Sequence, residues 1–176
     1  MVVTASFQPS GGGPIGSPCA PSQGEARGVD SMFIEQMIPH HDDAIAMAEL
    51  ALTRAEHPEI KQLAEDVIRT QSAENAQMRD WYDEWFGESV PAYGSGSSGM
   101  MGGRFGDLTA LRDADQFDRA FIEQMIPHHQ MGIMMARMAG DSTSRLEIRG
   151  LTDGIIRTQS EEIDRMQQWY QEWYGR

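Results

Sequence analysis

A single cysteine in 176 residues leaves no internal disulfide framework, no CxxC redox pair and no cysteine zinc site. Cations are scarce too. Fourteen Lys and Arg stand against 27 Asp and Glu, a formal charge of −13. A surface of that sign lacks the clustered cations that release counterions from nucleic acid or dock on anionic lipid. No apolar run approaches the ~20 residues of a membrane span. No stretch alternates strictly with period two between turns, so a sheet is not expected. There is also no Walker loop, nucleophile elbow or HExxH motif.

What the chain has in excess is methionine, 13 residues, together with five histidines. It also has an internal repeat. FIEQMIPHH occurs at Phe33–His41 and again at Phe121–His129, an offset of 88 residues. The same offset aligns Val67–Gly87 with Ile155–Gly175. Across 33–87 and 121–175, 28 of 55 positions are identical without a gap. A repeated supersecondary unit of this length buries its apolar face against its own copy.

Each copy reads as two helices. Phe33, Met37, His40, Ala44, Met47 and Ala51 follow steps of four and three, beside a parallel stripe from Ile34 to Leu52. Asp30 suits an N-cap, and His57-Pro58 and Gly140-Asp141-Ser142 suit the two hairpin turns. The second helices carry the apolar series ending in Trp81–Trp85 and Trp169–Trp173, aromatics expected to close the ends of the bundle. The predicted fold is all-α, a four-helix bundle of two duplicated αα-hairpins with a long crossover between helices 2 and 3.

The expected divisions follow composition. Residues 1–28, with six Gly, four Pro and four Ser, read as a disordered tail. The bundle occupies 29–176, with repeat 1 at about 30–87 and repeat 2 at about 113–175. The Gly/Ser-rich stretch 88–106 is the linker. An intact signal peptide is not expected. Met1–Phe7 is short and polar, and no apolar run precedes Cys19.

Four histidines form two adjacent pairs, His40-His41 and His128-His129, inside apolar faces. Imidazole is the commonest metal ligand, and thioether is a soft donor that favours Cu(I). Met37 lies one turn before His40, and Met47 lies two turns after it. Met125, His128, Met131 and Met135 make a similar line in the second copy, with Met134 and Met138 close by. The plainer reading is that Met fills gaps in a core and that a buried His is satisfied by a carboxylate or carbonyl. Gln71, Glu74, Gln159 and Glu162, near the inward faces of the second helices, are candidates to orient the imidazoles. Helical di-iron sites need Glu three residues before His. Here Met37, Ile38, Met125 and Ile126 occupy those places, which disfavours a dinuclear oxidase.

FIEQMIPHH followed by AIAMA, and again by MGIMMA, with RTQSxE and the WYxEW ending, resembles a bacterial family. It is the domain-of-unknown-function (DUF) family numbered three hundred and five, and the likeness spans residues 30–175. The resemblance implies a ferritin-like bundle, commonly exported or lipid-anchored, and hence an extracytoplasmic location. Some members are linked to copper binding or resistance. The resemblance therefore implies a Cu(I) role for Met37, His40, His41, Met47, Met125, His128, His129, Met131 and Met135. Asp43 stands where the second copy has Met131, which implies a weaker site in the first half.

The expected function is non-enzymatic binding of Cu(I) or Ag(I) through His and Met. Expected partners are the metal ion and either a second copy or a copper-handling protein. Acid is expected to weaken binding by protonating histidine. The rival expectation is a metal-free structural or protein-interaction bundle.

Overall fold

The computed structural model describes residues 23–92 and 107–175. Five helices are found there and no strand: α1 Gln23–Arg54, α2 Pro58–Phe86, α3 Leu108–Asp113, α4 Phe117–Ser142 and α5 Leu146–Tyr174. α1 packs along α2 and α4 along α5, forming the two expected hairpins, and α1 against α4 joins them. None of the helices is long and apolar enough to cross a membrane.

α1 and α4 run antiparallel. Phe33, Ile34 and Ile38 share one apolar cluster with Ala136 and Ala139. Ala44, Met47 and Ala51 share the other with Phe117, Phe121 and Met125. The two clusters lie on either side of the histidine pairs. Phe121, Ile34 and Ile148 are fully buried, each contributing roughly 1.5–3 kcal/mol through removal of apolar surface from water.

Three boundaries differ from the sequence expectation. α1 already contains Asp30, so that residue is not an N-cap. Its buried carboxylate instead accepts hydrogen bonds from Thr143 Oγ1 (2.6 Å) and Arg145 Nε (3.1 Å), at the far hairpin turn. α4 continues through Gly140 to Ser142. A Cβ at Gly140 would fall 2.8 Å from Thr152 Oγ1, so that glycine serves close approach of α5 instead of a turn. α3 was not anticipated. Its Leu111 is fully buried, and Arg54 donates to the Arg112 carbonyl in its last turn and to the Ala114 carbonyl just after it. Of the expected tail 1–28, residues 23–28 belong to α1, a correction, and 1–22 lies outside the described residues, as does 93–106 of the expected linker.

The repeat symmetry persists where residue types have diverged. Asp118, the counterpart of Asp30, accepts from the backbone N–H groups of Glu56 and His57 and from His57 Nδ1 at 2.6 Å. The His57 ring stacks on Trp173 at 3.7 Å. In the opposite position, the Arg145 guanidinium lies 4.1 Å over Trp85. Each end of the bundle is thus closed by a carboxylate, a flat cation-capable group and an indole.

Gly87 ends α2 in the left-handed region, φ 71°, with its N–H donated to Asp83 O. A Cβ is strained there. Gly87→Ala is expected to cost about 1 kcal/mol, seen as a lower urea midpoint at unchanged slope.

Candidate metal centre

Both proline-histidine-histidine motifs lie within uninterrupted helix, α1 through Pro39 and α4 through Pro127. Because α1 and α4 cross antiparallel at this level, the repeat symmetry brings the two pairs together. The His40 and His128 rings lie 3.8 Å apart at 37°. His40 Nε2 donates to the His128 carbonyl at 3.2 Å. His41 and His129 flank them, each ring 6.2 Å from its sequence neighbour. None of the four is more than 2% exposed.

The outer histidines are held from the second helices of their hairpins. His41 Nε2 donates to Glu74 Oε2 at 2.8 Å, and His129 Nε2 donates to Glu162 Oε2 at 2.7 Å. With the carboxylate accepting, Nε2 carries the proton and Nδ1 presents its lone pair. Among the described residues, neither Nδ1 finds a hydrogen-bond partner, and both are buried. A carboxylate that fixes one ring nitrogen and leaves the other facing inward is the usual support of a metal-ligating histidine.

Burial, and then the charges that His41 and His129 would carry, push the His40 pKa down to about 3, against an opposing hydrogen bond to the His128 carbonyl. Burial, then His40, His129 and His41, push His128 down to about 2. The central pair is therefore neutral at physiological pH, the form in which imidazole binds metals.

Gln159 also belongs to the centre. A Cβ at Gly132 would fall 2.5 Å from its Oε1 and 3.1 Å from His40 Cε1, so the amide and the ring share the space above that glycine. Among the described residues, neither polar atom of the buried Gln159 amide has a hydrogen-bond partner. The substitution of Gly132 for the first copy's Ala44 was the sequence signal for this contact. Outward, the seam between α2 and α5 is lined by Thr70, Gln71, Glu74, Thr158, Gln159 and Glu162, with only about 10 Å³ of space. That is scarcely one water molecule.

The candidate methionines are distributed differently. Met37 and Met125 are fully buried one turn before the histidines. Met47, also fully buried, is two turns from His40 in the cluster with Met125 and Met166. Met131 is half-buried one turn after His128. Met135 is half-buried, packs on the cluster containing Met37 and Met78, and lines a surface groove. Among the described residues, no three His, Cys, Asp or Glu side chains converge as a site for an ion. A nitrogen-and-carboxylate centre of the zinc type is thus not preformed, and the additional donors at hand are thioethers.

The repeated Glu35 and Glu123 take no part. Each accepts a tyrosine hydroxyl, from Tyr82 at 2.7 Å and from Tyr170 at 2.6 Å. The Tyr170 bond, then Arg119, hold the Glu123 carboxyl below the usual range.

The model for the domain of unknown function DUF305 matches residues 30–170. The chain belongs to the DUF305 family. It is 54% identical to CopM solved in the Cu(I)-bound form, over 82% of this chain and 97% of that one, at a TM-score of 0.74. CopM has also been solved in apo, Cu(II)-bound and Ag-bound forms, with similar likeness. A DUF305 protein of Streptomyces coelicolor, described as a candidate secreted protein, is 25% identical over 82% of this chain and 93% of that one, at a TM-score of 0.71. A 55-residue stretch is 42% identical to the uncharacterized protein L153 of Acanthamoeba polyphaga mimivirus. That match covers 31% of this DUF305 chain and 36% of the viral protein, so the chain spans about a third of that relative.

Proposed function

We propose that this DUF305 protein is a non-enzymatic binder of Cu(I), or chemically similar Ag(I), in extracytoplasmic copper handling. The observation that carries the reading is the pair of glutamate-held imidazoles, His41 and His129, whose Nδ1 atoms are buried without hydrogen-bond partners among the described residues. They flank two neutral imidazoles, His40 and His128, in a chain more than half identical to a protein solved with Cu(I). Met37, Met125 and Met131 complete the donor set from the adjacent helix turns. Met47 and Met135, two turns along, extend the line of thioethers away from the histidines. Soft donors at this density select Cu(I) over hard divalent ions. The metal is cargo, handed to a second copy or a copper-handling protein, and the carboxylates at the seam draw the cation in.

Anaerobic Cu(I) titration against a chromogenic chelator tests the reading. The His40/His41/His128/His129→Ala variant is expected to lose the high-affinity equivalents while circular dichroism remains helical. A Glu74→Gln/Glu162→Gln variant, with its imidazoles intact but less firmly oriented, is expected to bind 10–100-fold more weakly. Wild type is also expected to melt higher with Cu(I) than without, by mass action on the folded state. Equal binding by wild type and a folded histidine variant would remove the histidines from the site.

A further inference from the structure

Methionines also gather away from the histidine tetrad. Met32 on α1 and Met135 and Met138 on α4 line one groove of about 200 Å³, floored by Phe33 and Ala139. Met32 is 57% exposed and Met138 65%. Met135 and Met138 are three apart on α4 and therefore neighbours on one face. Among the described residues lining the groove, no carboxylate, imidazole or cationic side chain is present; Gln36 and Ser142 are its polar side chains.

The other repeat supplies an internal control. At the 88-residue offset, Met32 corresponds to Ala120, Met138 to Leu50 and Met135 to Met47. Phe33, Gln36 and Ala139 have identical counterparts in Phe121, Gln124 and Ala51. The same helix crossing therefore forms with alanine and leucine in place of two of the methionines, there beside α3, where Gln124 accepts from the Asp107 N–H. Packing does not require thioethers at 32 and 138, and exposure gives them little core to fill.

We infer that Met32, Met135 and Met138 form a second, thioether-only site for Cu(I) or Ag(I) at the protein surface. The donor set is soft and uncharged, which favours monovalent copper and silver over zinc, magnesium or calcium. Its position suits loading and unloading, because the donors are solvent-accessible whereas the tetrad is closed. Met135 spans both environments, lining the groove and packing against the cluster that contains Met37. The net charge of −13 concentrates cations near such an opening. This inference rests on the Cu(I) reading for its biological sense, but its test does not depend on the histidines.

The test uses Ag(I) as a diamagnetic probe on the full chain carrying 13C-methyl methionine. Titration is expected to shift the Met32, Met135 and Met138 methyl resonances together. A Met32→Ala/Met138→Leu variant borrows the residues of the other repeat and should fold normally. It is expected to lose one Ag(I) equivalent and retain those that depend on the histidines. Failure of the tetrad reading alone would leave the groove shifts intact while the histidine variant binds Ag(I) undiminished. The surface site is overturned if the three methyl signals stay fixed at saturation, or if the variant binds as many equivalents as wild type. It is equally overturned if those signals move only with protein concentration, which would mark the groove as a contact between copies.

Discussion

Glu162→Ala is expected to destabilise the bundle by about 2–3 kcal/mol, and Glu74→Ala by about 1 kcal/mol, although the two glutamates are repeat counterparts making the same bond. The Glu162 side chain is 4% exposed and that of Glu74 15%, while both histidine partners are fully buried. Truncation at 162 strands the His129 N–H where water cannot reach it, and an unsatisfied buried donor carries most of its desolvation cost. At 74, solvent at the seam can replace the carboxylate in part. Urea unfolding of both variants, compared at equal slope, measures the difference. Glu162→Gln, which keeps an acceptor oxygen, is expected to recover about half of the loss. Equal losses at 74 and 162 would mean that the two imidazoles are equally accessible to water once the carboxylate is gone, contrary to the unequal exposure of the two glutamates. In either variant the freed imidazole loses its orientation, so Cu(I) affinity is expected to fall with stability.

That comparison depends on contacts of a kind sequence shows only in part. The repeat, the helical period and the two histidine pairs were legible because each is local, and a doubled hairpin has few ways to bury its faces. Glu74 and Glu162 could be placed on the inward side of their helices, but the partner of each required the hairpin to close. Asp30 illustrates the limit. A lone Asp before an apolar stripe looks like a cap, and the residues that claim it instead, Thr143 and Arg145, are more than a hundred positions away. Likewise His57 and Arg145 share a structural role at the two bundle ends without sharing a residue type, so alignment of the repeats does not expose it. Helix faces also say less than they suggest about sites. Met47 shares a stripe with His40, but seven residues of α-helix rise about 10 Å, and it lies in the apolar cluster with Met125 and Met166.

Acid is expected to act on the fold through the two central histidines, His40 and His128. Above pH 6.5, His40 and His128 are neutral both folded and unfolded, and the stability their burial permits is fully present. Below 6.5 the unfolded chain takes up a proton at each, whereas the folded chain does so only near 3 and near 2. The unfolded state therefore binds more protons, and stability falls as pH falls by up to about 1.4 kcal/mol per pH unit for each histidine. From pH 6.5 to 4.5 the two together remove on the order of 5 kcal/mol, comparable with the whole stability of many domains. Urea midpoints between pH 7 and 4.5 check this, with His128→Gln as the comparison. The variant removes one of the two linked groups and is expected to reduce the slope by about half, even if its stability at pH 7 is lower. His41 and His129, with Glu74 and Glu162 behind them, also face the pair and remain in both proteins, so the difference in slope isolates position 128. Parallel pH profiles would show that His128 already exchanges protons with solvent in the folded state. The consequence for metal is specific. Cu(I) binding at the proposed site is expected to be lost where the apo-protein unfolds. Cu(I), acting by mass action on the folded state, is expected to move that loss to lower pH.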